Sequence, residues 1–95
     1  MSDPSVGPLG AATVPRIASK ARLHWDEVRS RHVLLHPEGL VALNETAAAI
    51  LRLCDGERSV EQVIATLKFT YQADGIERDV ATLLQGLAAK GLVIL

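Results

Sequence analysis

A single cysteine, three aromatic residues and no long apolar run limit what this chain of 95 residues can be. Cys54 has no partner for an intramolecular disulfide and cannot by itself build a cysteine-rich metal site, so a reducing, cytoplasmic compartment suits the chain. No apolar stretch approaches the roughly 18 residues that cross a bilayer, and no charged segment followed by an apolar one opens the chain, so neither a membrane anchor nor an export signal is expected. With Trp25, Phe69 and Tyr71 as its only aromatics, the core has to be built from Leu, Val, Ile and Ala. Excess charge is missing as well: a net charge of −1 argues against a phosphate-binding surface.

What is present fits one domain with one core. Hydrophobic residues make up 48% of the chain and charged residues 22%, and the charges are unevenly spread. Residues 16–31 carry an excess of three positive charges and residues 44–79 an excess of three negative ones, an imbalance that solvated faces commonly show. Residues 1–15 hold Pro4, Pro8, Pro15, Gly7 and Gly10 among scattered apolar side chains, too few to offset the entropy of ordering, so a flexible tail is expected there and a single domain over residues 16–95.

From Leu23 to Leu43 short apolar stretches alternate with breaks at Asp26 to Ser30 and at Pro37-Glu38-Gly39. Pro37 restricts the backbone before it and Gly39 permits positive φ, so the second break predicts a tight hairpin turn, and the region three antiparallel strands. After Leu43 the period becomes helical. Asn44 can cap a first helix whose apolar positions Ala47, Ile50, Leu51 and Cys54 share one face. Ser59 and Gln62 have capping-box spacing ahead of Val60, Val63, Ile64 and Leu67. Asp74 and Glu77 repeat that spacing before Ile76, Val80, Leu83, Leu84 and Leu87, with Lys90 and Gly91 placed to end the third helix. Leu92 to Leu95 should pack on the core or pair as a short strand. The fold class is thus α+β, a three-stranded antiparallel sheet followed by a three-helix bundle.

Groups able to do chemistry are sparse. His24, His32 and His36 could suggest a metal site, but the i, i+4 spacing of His32 and His36 along a strand separates their Cα atoms by about 13 Å, too far for two ligands of one ion on a straight strand. Asp26 and Glu27 are adjacent and point to opposite faces when extended, so a solvated turn outweighs a carboxylate pair. Cys54 lies on a buried stripe and reads as an inert core thiol. No glycine-rich phosphate or cofactor loop is present. Trp25 reads as a core anchor. Gly86 lies inside the third helix at a cost of roughly 1 kcal/mol relative to Ala, which close packing of another backbone or helix would explain.

The segment LHWDEVRSRHVLLHPEGLVALNETAAAILRL, residues 23–53, resembles the PqqD family of pyrroloquinoline quinone biosynthesis. The resemblance rests on Trp25-Asp26, Arg31-His32, Pro37-Glu38-Gly39, Leu43-Asn44, Thr46-Ala47 and Ile50-Leu51, and it continues through Asp55-Gly56 and the later helices to cover about residues 15–95. It implies a winged-helix-like, non-catalytic recognition domain of the RRE type that binds the ribosomal precursor peptide PqqA and delivers it to PqqE, a radical S-adenosylmethionine enzyme. It implies no cofactor and no metal in this chain, the iron–sulfur clusters belonging to the enzyme. Related recognition domains add the leader peptide as a strand to the third strand of the sheet, beside the third helix. Carried onto this chain, those elements are Leu40, Val41, Ala42 and Leu43, with Val80, Leu83, Leu84 and Leu87. A spare strand edge also leaves room for a homodimer. The alternative is a winged-helix nucleic-acid binder, against which the third helix offers Arg78, Gln85 and Lys90 amid acidic and apolar neighbours.

Overall fold

The computed structural model describes residues 10–72 and 74–95. In chain order its elements are β1 (Arg16–Ile17), β2 (Arg22–Asp26), β3 (Arg31–His36), β4 (Gly39–Ala42), α1 (Glu45–Leu53), α2 (Val60–Tyr71), α3 (Ile76–Ala89) and β5 (Val93–Ile94). The expected sheet is β2-β3-β4, antiparallel throughout, with the turn at Pro37-Glu38 joining His36 to Gly39, which has φ 145°. Among the described residues no helix is long and apolar enough to cross a membrane.

The helix termini follow local chemistry. Asn44 Oδ1 accepts the N–H of Ala47 at 2.7 Å to start α1. Ser59 and Gln62 exchange both bonds of a capping box at the head of α2, a motif worth on the order of 1 kcal/mol. At the end of α3, Gly91 at φ 73° lets its N–H reach Ala88 O while Leu92 N–H reaches Leu87 O at 2.9 Å, a Schellman closure that turns Leu92 into the core. The start of α3 differs from expectation. Gly75, left-handed at φ 81°, takes the capping position and no side chain caps the helix, so Asp74 lies one residue too early for a capping box. Glu77 is drawn away to Lys68 of α2, whose ammonium hydrogen bonds its carboxylate and holds it below the usual carboxylate range. Gly86 also departs from its expected reason, because a Cβ there would meet no atom within 4 Å.

A second, two-stranded sheet appears where no periodic pattern marks the residues. β1 pairs antiparallel with β5, setting Arg16 against Ile94 and Ile17 against Val93, so the last residues do pair as a short strand. Of the tail expected over residues 1–15, residues 1–9 lie outside the described residues, whereas residues 10–15 are seated on the helical layer. Thr13 O accepts the N–H of Val60 at 2.7 Å, Ala11 O that of Glu61 at 3.1 Å and Pro15 O that of Gly56 at 3.2 Å. Val60 and Glu61 are the first two residues of α2, whose N–H groups have no partner within the helix, so a segment of small side chains is held largely by main-chain bonds. Pro15 is fully buried.

One core joins the two layers. Leu34 and Leu43 from the sheet meet Ile50 and Leu51 of α1, Val63 and Leu67 of α2, and Val80, Leu84 and Leu87 of α3. Trp25, read as a core anchor, is 46% exposed. It alternates to the same face as Leu23 and Leu34, but β2 is an edge strand, so one side of the ring stays open while its edge packs against His32 at 4.9 Å.

Candidate functional site

The free edge of β4 is the feature that the sheet order creates, because β3 covers only one side of it. Leu43 N–H bonds to His32 O at 3.1 Å, and the register pairs Val41 with Leu34 and Leu40 with Leu35. In an antiparallel ladder the residues facing each other alternate between exchanging both main-chain bonds and exchanging none. Leu43 and Val41 therefore point their N–H and C=O groups inward to β3, and Leu40 and Ala42 point theirs to the open edge. The side chains alternate to match: Leu43 is buried and Val41 half-buried against the helices, while Leu40 and Ala42 are exposed.

Next to the end of this strand a cleft of about 280 Å³ opens between α1 and α3. Asn44, Thr46, Ala47 and Ile50 line one wall, and Arg78, Asp79, Thr82 and Leu83 the other. It begins at Asn44, two residues beyond Ala42, so an extended segment lying on the β4 edge runs toward it. Its floor is apolar and its rim carries one charge of each sign, which suits side-chain selection rather than bond chemistry.

The residues expected along α3 separate into two groups. Leu83 is half-buried and lines the cleft. Val80, Leu84 and Leu87 do not, which corrects their assignment to a groove: they have 0%, 0% and 4% of their surface exposed and fill the core beneath. A helical apolar stripe faces the core first, and only its margin remains for a ligand. The wall residues Thr46, Ala47, Arg78, Asp79 and Thr82 were missed. They flank the buried stripes of α1 and α3 by one helical step, and that adjacency is the only signal in the sequence that could have found them.

His24 is on the sheet face opposite His32 and His36, and among the described residues no group of three or more His, Cys, Asp or Glu could hold a metal ion. Cys54 is buried, its thiol donates to Ile50 O at 3.2 Å, and burial pushes its pKa up to about 12, so it stays protonated at neutral pH.

Comparison with known proteins agrees with this arrangement of strands and helices. The family model for coenzyme PQQ synthesis protein D, PqqD, matches residues 31–93. A PqqA binding protein of Methylococcus capsulatus is 41% identical over 81 residues, covering 85% of this chain and 87% of that protein. The solution structure of the PqqD truncation of Methylobacterium extorquens PqqCD, described as a functional, stand-alone recognition element for ribosomally synthesised and post-translationally modified peptides, superposes with a TM-score of 0.79 at 42% identity, covering 92% of this chain and 95% of that one. Lasso peptide synthetase B1 in complex with its leader peptide superposes with a TM-score of 0.70 at 30% identity, covering 87% and 100%. By the family match and the identity shared with these relatives, the chain belongs to the PqqD family.

Proposed function

We propose that this domain binds the precursor peptide PqqA as an added strand on β4 and presents it to the radical S-adenosylmethionine enzyme PqqE, performing no chemistry itself. The observation that carries the reading is the unpaired edge at Leu40 and Ala42, with the α1–α3 cleft opening at Asn44, two residues beyond it. Main-chain bonds to those two residues hold an extended peptide regardless of its sequence, and the cleft against Ile50 and Leu83 selects among side chains. Relatives named as PqqA binding proteins, and a related fold in complex with a leader peptide, support the peptide as occupant. The same edge is open to a second copy of the chain, so peptide and self-association compete for it. A duplex reader fits α3 poorly, since Glu77 and Asp79 occupy its exposed first turn.

Proline substitution tests strand addition. Leu40→Pro and Ala42→Pro remove an outward N–H and leave the β3 ladder intact, so these variants fold and bind PqqA with a loss of about 0.5–1.5 kcal/mol for the bond, up to roughly tenfold in affinity, plus any steric block. Val41→Pro and Leu43→Pro break inward bonds and damage the fold. Calorimetry on the folded variants decides, and parental affinity in both Leu40→Pro and Ala42→Pro rules out docking at this edge. Mass spectrometry of PqqA incubated with the protein alone should find no covalent change.

A further inference from the structure

We propose that the concave face between the β2–β3 hairpin and the outer flank of α1 is a second docking surface, which takes an acidic segment of the protein that receives the peptide. The inference rests on the carrier reading above and adds where, and by what chemistry, the second protein is held. A cleft of about 560 Å³ opens there, lined among others by Trp25, Arg31, His32, Arg52 and Tyr71. The chain has only three aromatic residues, and two of them converge on this cleft with 46% and 54% of their surface exposed. Tryptophan, tyrosine and arginine are the side chains most enriched where binding energy concentrates in protein interfaces, and this face combines all three over a floor of Ala48 and Ala49.

Charge points to the partner. Among the described residues neither Arg31 nor Arg52 forms an ion pair, whereas Arg29, Arg58 and Lys68 each do. Arg52 reaches His32 Nε2 at 3.3 Å, and because a guanidinium can only donate, that nitrogen is the acceptor. The side chain is thus held across the cleft while most of its donors remain available to a carboxylate. Glu45 is the one acidic residue in the lining, and it stands in the first turn of α1, seven residues and about 10 Å along the helix from Arg52. Two guanidinium groups beside two exposed rings suit Asp or Glu side chains interleaved with apolar ones. The position suits a ternary complex, because this cleft and the peptide-side cleft open on different faces of α1, Glu45, Ala48, Ala49 and Arg52 on one and Thr46, Ala47 and Ile50 on the other, and share Asn44 at its cap.

The test uses the full ¹⁵N-labelled chain, in which Trp25 supplies the single indole N–H signal, and unlabelled PqqE as the probe. Addition of the enzyme should shift or broaden the Trp25 indole signal, with an affinity that weakens as salt is raised and falls at least tenfold in the Arg31→Glu, Arg52→Glu double variant. The same variant should bind PqqA as the parent does, judged by the Leu40 and Ala42 amide signals, which also confirms that it folds. An enzyme that binds while leaving the indole signal unmoved, or that binds the double variant as tightly as the parent, overturns the assignment of this surface and leaves the carrier reading standing. An enzyme that does not bind the parent chain at all overturns both the surface and delivery.

Discussion

Leu83 and Leu84 are neighbours on α3, yet Leu84 is sealed in the core while Leu83 turns its flank into the cleft against Ala47 and Ile50. One residue of helical rotation separates a group that holds the fold from a group positioned to meet a ligand. The distinction matters because an apolar stripe read from sequence treats both alike.

The two leucines should therefore fail in different ways. Leu84→Ala is expected to destabilise the domain by about 2–5 kcal/mol, the cost of a core cavity, with peptide affinity unchanged in whatever fraction stays folded. Leu83→Ala should cost less than Leu84→Ala, since Leu83 is only partly buried at the margin of the core, and should weaken PqqA binding several-fold. Denaturant unfolding and calorimetry on the two variants separate these outcomes, and equal affinity for parent and Leu83→Ala would remove Leu83 from the site.

Residues 10–15 give a second expectation. A chain beginning at residue 10 should melt within about 5 °C of the full one, whereas a chain beginning at residue 16 loses buried Pro15 and the acceptors for Gly56, Val60 and Glu61. Three main-chain bonds at about 1 kcal/mol each correspond to a drop of roughly 10 °C or more for a domain of this size. Similar midpoints for the two truncations would show that these carbonyls contribute nothing to stability.

Those residues also mark what sequence reading can and cannot reach. Asn44, Ser59 with Gln62, and Gly91 were legible because a cap depends on residues within a few positions of it. The β1–β5 pair joins Arg16 to Ile94, nearly the whole chain apart, and two-residue strands carry no period to detect. Trp25 was misjudged because its exposure depends on β2 being an edge strand, a property of the assembled sheet. At the candidate site, the family resemblance pointed to a strand and a helix, but which of Leu40 to Leu43 face the open edge needed the register, which the Leu43 to His32 bond supplies.

Cys54 makes the domain sensitive to alkaline pH. Its thiol pKa is about 12 in the folded chain against 9.0 as the ordinary value, raised first by burial and then by the nearby Asp55 carboxylate. As pH rises past 9 the unfolded chain loses this proton before the folded one does, so the unfolded state binds fewer protons and stability falls with pH between about 9 and 12. Cys54→Ala should flatten that part of the profile at some cost in packing. A thiol reagent at pH 8 should label the native protein only as it unfolds, and rapid labelling under native conditions would show the thiol to be accessible.

Amide hydrogen exchange at β4, followed residue by residue by NMR with and without saturating PqqA, tests the central claim most directly. Leu40 and Ala42 N–H groups should exchange readily in the free protein and become protected when the peptide binds, while Val41 and Leu43, already bonded to β3, should be protected in both states. Protection that appears at Leu40 and Ala42 together, in that two-residue rhythm, is the signature of an added strand. Unchanged exchange at both positions in a fully bound sample would contradict the account and place the peptide elsewhere on the domain.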